Sequence, residues 1–336
     1  MGVLYVQEQG AYLRKRDERI VVELDREVVR DIPLIQLEQI VCLGNVQVSS
    51  QTLALLLEQG VDLCFLTQHG RFRGRVVGEF SRNARIRQAQ WEVAQDPERE
   101  LGLAARFVVG KLRNQRAVLQ RHLRQYGSED HPGLAAAVDL LADGIRAVPG
   151  ARTLDALRGI EGEAASVYFG VFGSLIRQPG FAFTQRLKHP PRDAVNALLS
   201  FTYTLLMNEV LAAIHVVGLD PYVGFLHAER HGKASLAFDL MEEFRPCFAD
   251  TLVLSLINNR VVSPEDFEQT LDACLLREGA RRRFFEQYER KKNDEVRHPV
   301  FKYRASYRRC FELQVRLLAK VLTGEVPAYL PFMPRM

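Results

Sequence analysis

The residues best suited to chemistry lie in one stretch, residues 220–246, DPYVGFLHAERHGKASLAFDLMEEFRP. An apolar run over 222–226 delivers His227 into a polar, glycine-punctuated segment. A second apolar run, 236–238, leads into Asp239-Leu240-Met241-Glu242-Glu243. One imidazole and two or three carboxylates thus fall among hydrophobic neighbours. Buried charge is costly unless it is paired or bound to a cation. Besides Arg230, the positive residues of the stretch are only Lys233 and Arg245, so a divalent cation is the simplest compensator. Asp239 and Glu242 are i,i+3 and Asp239 and Glu243 are i,i+4, so on a helix either pair can share a face. Spacing alone leaves Glu242 and Glu243 equivalent. Mg²⁺ and Mn²⁺ prefer carboxylate oxygens, and Mn²⁺ also accepts imidazole. The competing reading of DLMEE is acidic bias at the start of a helix, which favours its dipole.

A further carboxylate comes from GIEGEAASVYFGVF at 159–172. Glu161 and Glu163 are two apart, so on a helix they point in different directions. Glu161 shares its face with Ala165, Tyr168 and Phe172, which makes it a ligand or half of a buried ion pair. Tyr168 lies below the carboxylate on that face, where an aromatic packs in the core. His231 follows His227 by four residues, but HAERH is not the HExxH of zinc hydrolases. Zinc hydrolysis through His227 and His231 is therefore the weaker alternative. No GxGxxG, Walker A or GxSxG motif occurs, which disfavours dinucleotide redox chemistry, nucleotide hydrolysis and serine nucleophiles.

The elements that must position these residues differ along the chain. Residues 1–80 read as β-rich, with short alternating strands at 3–7, 12–15, 20–24, 27–31, 39–43, 61–66 and 72–77. One helix at 49–59 starts at Ser49 or Ser50 and stops at Gly60. Helical periodicity follows over 82–125, 134–147, 162–176, 194–217 (closed by Gly218), 238–257, 264–276 and 307–322. Breaks fall at Pro149-Gly150 and His189-Pro190-Pro191. The expected fold class is α+β. A β-rich domain spans 1–80, a connecting segment 81–97 and a larger all-α catalytic domain 98–336.

Composition narrows the class. The 336 residues are 47% hydrophobic and 26% charged, ordinary for a globular protein. No apolar run approaching a membrane span and no signal peptide is read, so a cytoplasmic protein is expected. The cysteines at 42, 64, 247, 274 and 310 form no CxxC pair, which argues for reduced thiols and against structural zinc. A net charge of +4 does not announce a nucleic-acid binder. Its distribution is more telling. Residues 101–128 hold six basic side chains (Arg106, Lys111, Arg113, Arg116, Arg121, Arg124) and no acidic one, and over 277–309 basic outnumber acidic residues by twelve to five. The second segment interleaves Phe284, Phe285, Tyr288, Phe301, Tyr303 and Tyr307. Such clusters suit phosphate backbones, although solvated helix faces look the same.

Four blocks in order, GIEGEAASVYF, DAVNALLSFTYTLL, VGLDPYVGFLH and SLAFDLMEEFRP, resemble the CRISPR-associated endonuclease/integrase of spacer acquisition, the universal adaptation protein. The likeness spans essentially the whole chain, and HGRF in the β domain resembles the subtype I-C branch. The resemblance implies a Mg²⁺- or Mn²⁺-dependent DNA nuclease and strand-transfer enzyme. It assigns the metal ligands to Glu161, His227 and Glu242, and gives Asp239 a supporting catalytic place. Family members often carry Asp where this chain has Glu242, and the longer arm could change metal distance. Arg230 and His231 are not motif positions, whereas Arg192 and Asn196 are neighbours of the site, and on this reading Tyr168 either orders the site, meets DNA or packs in the core. Implied partners are double-stranded or splayed DNA, a second copy through the β domain, and a small ferredoxin-like companion protein.

Overall fold

Alternating apolar residues in the first eighty positions build two four-stranded sheets with a shared core. The computed structural model describes residues 2–79, 83–127, 132–187, 190–227, 232–271 and 273–335. His189, Arg230 and His231, and the change of texture at Ser81, lie outside the described residues. The strands are β1 (Gly2–Val6), β2 (Tyr12–Arg16), β3 (Arg19–Leu24), β4 (Glu27–Pro33), β5 (Leu37–Leu43), β6 (Gln47–Val48), β7 (Asp62–Leu66) and β8 (Phe72–Val76). One sheet runs β1-β5-β7-β8, parallel until the antiparallel β7/β8 pair; the other runs β4-β3-β2-β6. Leu13, Ile20 and Val22 from one sheet and Leu4, Ile40 and Leu63 from the other meet in a single apolar cluster. Helix α1 (Ser50–Glu58) is capped by Ser49, whose side chain accepts from Thr52 N, and Gly60 follows it at φ +67°. Only the short β6 escapes the sequence pattern.

Residues 1–80 and 81–336 form two compact units. The second is mainly helical: α2 (Ala84–Ala94), α3 (Pro97–Tyr126), α4 (Pro132–Ala147), α5 (Leu154–Phe172), α6 (Ala194–Val217), α7 (Ser235–Met241), α8 (Thr251–Asn258), α9 (Glu278–Asn293) and α10 (Tyr307–Leu322). The expected α+β class is what the chain adopts. Asp96 separates α2 from α3 by accepting from the Glu98 and Arg99 N–H groups, with Pro97 at the first helical position. Helix α5 starts earlier than Gly159, because Thr153 caps it by accepting from Ala156 N.

Three readings of the sequence are corrected. The expected helix at 264–276 is a hairpin, β9 (Phe267–Gln269) against β10 (Cys274–Leu276). Its turn is closed by Thr270, and Cys274 N donates to Pro191 O. Short apolar runs do not distinguish strand from helix by periodicity. A second hairpin, β11 (Glu295–Arg297) with β12 (Arg304–Ser306), lies in the basic segment. The helix expected over 238–257 is instead α7, a turn, a π-helical stretch (Arg245–Asp250) and α8. Finally, α6 is long and apolar enough to cross a bilayer, contrary to the reading of no such run, but 72% of its apolar window is buried inside the protein. It is the central core helix of the second unit.

Candidate active site

The π-helical stretch re-aims the acidic residues that precede it. Helix α7 ends at Met241, and the widened turn after it leaves Glu242 and Glu243 facing different surroundings. Such bulges are frequent at functional sites.

Asp239 organises the approach to His227. Its Oδ2 accepts from the backbone N–H of Phe225 at 2.6 Å and Leu226 at 3.0 Å, and its Oδ1 from that of His227 at 2.9 Å. His227 Nδ1 lies 2.7 Å from the same Oδ1. Because that oxygen is acting as an acceptor, Nδ1 is assigned as donor. This arrangement needs the loop to lie almost on α7. A Cβ at Gly224 would come within 2.7 Å of Ser235 Cβ and 2.9 Å of Asp239 Oδ2, so glycine is required there. Two other clamps hold the loop. Gln90 of α2 donates to Asp220 O and Val223 O and accepts from Asp220 N, and Arg158 Nε donates to Leu226 O at 2.8 Å.

With Nδ1 engaged, the ring presents Nε2 toward Glu242, 3.8 Å from Oε1. Glu161 approaches from α5. Between the two glutamates sits Lys111 of α3, whose Nζ pairs with Glu161 Oε1 and lies 2.6 Å from Glu242 Oε2. Arg245 Nε is 3.1 Å from Glu242 Oε1. Burial alone would raise the Glu242 carboxyl, but the Arg245 and Lys111 charges outweigh it and hold it at about 2. Burial would likewise lower the Lys111 ammonium, and the Glu242 and Glu161 charges outweigh that and raise it. Glu242 and Lys111 therefore hold each other charged, and Lys111 lies between the two glutamates.

The expected set of compensating cations was Lys233 and Arg245, and this is corrected in part. Arg245 does pair with Glu242, but Lys233 lies over the Phe238 ring at 5.0 Å, and Lys111 is the cation the sequence reading missed. Its signal was present: Ala104, Phe107, Lys111, Gln115 and Val118 form one buried stripe of α3, and a lysine on such a stripe needs a carboxylate. Among the described residues no group of three His, Cys, Asp or Glu side chains forms a ready metal cage. The donor chemistry nonetheless fits a hard divalent ion. Two carboxylates flank a cation, and the adjacent imidazole is orientated by a carboxylate on its far nitrogen, as metal-binding histidines are. Glu161 keeps 26% of its side chain exposed against 4% for Glu242, so the pair opens to solvent on the Glu161 side.

The family model for "CRISPR associated protein Cas1" matches residues 4–290. A Cas1 endonuclease of Rhodospirillum rubrum is 42% identical over 342 residues, covering 99% of this chain and 98% of the relative. The chain belongs to the Cas1 family. A Cas4/Cas1 exonuclease–endonuclease fusion of Geobacter sulfurreducens is 41% identical over 339 residues, and there the chain spans 60% of the relative's length. Among solved structures, a casposase bound to an integration product is similar with a TM-score of 0.85 at 24% identity, covering 98% of this chain and 93% of that one. A Cas6–reverse transcriptase–Cas1–Cas2 complex matches with a TM-score of 0.82 at 21% identity over 100% of this chain and 36% of that one. At these identities the structures speak for the Cas1 fold.

The remaining candidates separate cleanly. Glu243 points away from Glu242. Its Oε1 accepts from Tyr329 OH at 2.6 Å and Gln314 Nε2 at 3.0 Å, and its Oε2 from Phe332 N at 2.6 Å. Burial pushes its carboxyl up to about 7. Glu163 is exposed. Tyr168 is fully buried and donates to Asp250 Oδ2 at 3.0 Å, so it does not reach DNA. Asp250 also accepts from Tyr203 OH at 2.5 Å, and the Tyr203 ring lies under Arg245 at 4.5 Å. Tyr168 thus braces Arg245 from behind. Asn196 is buried and ties the chain before α6, accepting from Leu187 N and Arg186 and donating to Gln185 O. Arg192 is exposed beside it.

Proposed function

We propose that this chain is a divalent-metal-dependent DNA endonuclease and integrase that inserts DNA fragments as new spacers into a CRISPR array. The observation that carries the reading is the meeting of Glu161, His227 and Glu242, from three separate sequence blocks, in a chain of the Cas1 family. Relatives named endonucleases and a casposase carrying an integration product support it.

Glu161, His227 and Glu242 would hold Mg²⁺ or Mn²⁺, which when bound supplies Lewis-acid polarisation of a phosphodiester. Asp239 keeps His227 in the tautomer and orientation that present Nε2. Arg245 holds Glu242 ionised, and the Asp250–Tyr203 layer fixes Arg245. Lys111 supplies a positive charge that can turn from a glutamate to a phosphate oxygen. In cleavage water attacks the phosphorus and the strand's 3′-oxygen leaves as its P–O bond breaks; in integration the 3′-hydroxyl of the incoming fragment attacks, and the 3′-oxygen of the cut repeat strand leaves and takes up a proton. No covalent protein intermediate is required. The site's own cations and preorganised donors stabilise charge as it builds on phosphorus. Partners are duplex or splayed DNA, a second copy through the β-rich unit, and a small ferredoxin-like companion, in line with the Cas1–Cas2 complex noted above. The setting is cytoplasmic.

The second reading is a DNA-binding scaffold whose acidic centre is structural, favoured by the way Lys111 and Arg245 already compensate the carboxylates. Half-site integration into a repeat-bearing plasmid with Mn²⁺ and the companion protein separates the two. Glu161→Gln, His227→Ala and Glu242→Gln are each expected to lower strand transfer by roughly 10²-fold or more. Unchanged transfer in all three contradicts the assignment of the site to Glu161, His227 and Glu242, and no transfer by the wild type under these conditions favours the scaffold.

A further inference from the structure

Two cations serve the acidic centre, and they are held in different ways. Arg245 is anchored apart from its carboxylate. Its guanidinium lies 4.5 Å from the Tyr203 ring, whose hydroxyl donates to Asp250 at 2.5 Å, and it reaches Met241 Sδ at 3.6 Å. Lys111 has no such bracket. Its Nζ pairs with Glu161 Oε1 and lies 2.6 Å from Glu242 Oε2, and these two carboxylates are the ammonium's partners. Glu161 pairs with no second cation among the described residues. The lysine rises from the buried stripe of α3, its side chain 8% exposed, and ends in a compact charge on a flexible four-carbon stem. The glutamate pair opens to solvent on the Glu161 side. One cation is thus fixed, and the other is bound only to oxygens that a divalent ion needs.

We propose that Lys111 gates metal loading: its ammonium occupies Glu161 and Glu242 until a phosphodiester takes it up, so that metal and DNA are bound cooperatively. The proposal rests on the reading of Glu161, His227 and Glu242 as metal ligands and adds the regulation of that site. An ammonium and a divalent ion cannot share one oxygen from each glutamate, because like charges so close repel strongly. Without DNA, Lys111 leaves its carboxylates only for solvent, and the apparent metal affinity falls by the fraction of time the carboxylates are free. A phosphate oxygen on the open, Glu161 side offers the ammonium an equally charged partner and releases both glutamates. Metal and phosphodiester then favour the same position of Lys111, so each raises the other's affinity by the same factor. His227 and Arg245 stay out of the exchange, since Asp239 and the Tyr203 ring hold them. The consequence is a site that fills with metal chiefly where DNA is seated.

The test is a Mn²⁺ titration followed by electron paramagnetic resonance, with and without a splayed duplex whose 3′ ends are dideoxy so that no strand transfer intervenes. In the wild type the duplex is expected to tighten Mn²⁺ binding at least roughly ten-fold, the value for carboxylates blocked about nine-tenths of the time. Mn²⁺ is expected to tighten duplex binding, read by fluorescence anisotropy, by the same factor. Lys111→Met is expected to bind Mn²⁺ at least about ten-fold more tightly than the wild type without DNA, and to gain less than about three-fold from the duplex. Lys111→Gln, which drops the charge and keeps a donor toward Glu161, is expected to behave likewise, and melting in Mn²⁺ checks that both variants are folded. A phosphate that ligates the metal directly also couples the two ligands, but that coupling survives the loss of Lys111. Wild-type coupling in both variants, equal Mn²⁺ affinity of wild type and variants without DNA, or no coupling in the wild type therefore overturns the gate. If Mn²⁺ binding is lost in Glu242→Gln while coupling is absent, the gate fails and the metal site stands. No Mn²⁺ binding by the wild type, with or without the duplex, overturns both.

Discussion

Glu242 and Glu243 are consecutive, equally buried and chemically identical, yet the structure treats them as opposites. Glu242 is surrounded by charged partners: Lys111, Arg245 and the edge of His227. It stays ionised, near 2. Glu243 is surrounded by neutral donors, Tyr329, Gln314 and the Phe332 N–H. Burial dominates there and its carboxyl rises to about 7. Asp250, hydrogen-bonded by Tyr168 and Tyr203, rises through burial to about 6 although the Arg245 and Arg186 charges oppose the rise. A buried carboxylate among cations keeps its charge and stays available to a metal or a phosphate. One among hydroxyls and amides becomes a structural tie, and Glu243 ties the C-terminal segment to α10 and the start of the π-helical stretch. The difference lies in the partners.

The most damaging change to this contrast is Lys111→Met, which strips Glu161 and Glu242 of a shared counter-ion. Breaking a buried pair from one side typically costs about 3 kcal/mol or more. The variant is expected to melt well below the wild type in EDTA and to recover much of the loss with Mn²⁺, both visible by calorimetry. Next is Asp239→Asn, which leaves the ligand candidates intact but loosens the hold on His227. Orientating partners of this kind are worth about 10–100-fold in metal affinity, and a Mn²⁺ titration followed by electron paramagnetic resonance reads it. Smallest is the pH effect of the neutral-partner class. The folded value of Glu243 lies above its unfolded value of 4.5, so its stabilising contribution is complete below about 4.5 and is lost as pH rises through about 7. Glu243→Gln is expected to flatten the fall in melting temperature between pH 5 and 7, a term on the order of 1–3 kcal/mol. An unchanged slope would place the titrating group elsewhere.

Sequence alone carried the strands of residues 1–80, because short apolar runs, often alternating, are separated by turn formers such as Asp17, Asp25, Gly44 and Gly70. It also drew attention to Glu161, His227, Asp239 and the Glu242–Glu243 pair, because charges beside apolar runs are conspicuous, with only the family resemblance pointing to Glu242. It could not choose between Glu242 and Glu243, since the choice depends on Gln314, Tyr329 and Phe332, some seventy to ninety residues further on, and on a π-helical turn with no simple sequence signal. Lys111 was counted among surface cations of a basic helix, although it lies on that helix's buried stripe. Most aromatics of the 277–309 segment proved to be core: Phe284, Phe285, Tyr288 and Tyr307 are buried, and only Phe301 and Tyr303 remain exposed. The hairpin at 267–276 was missed because three-residue strands are too short to show a period.

The central claim is that the cation-flanked carboxylates, and not their neutral-partnered neighbour, hold the catalytic metal. Mn²⁺ binding measured by isothermal titration calorimetry on the wild type, Glu242→Gln and Glu243→Gln tests it directly. Binding is expected to vanish in Glu242→Gln and to persist in Glu243→Gln. Wild-type affinity in Glu242→Gln, or its loss only in Glu243→Gln, would contradict the account.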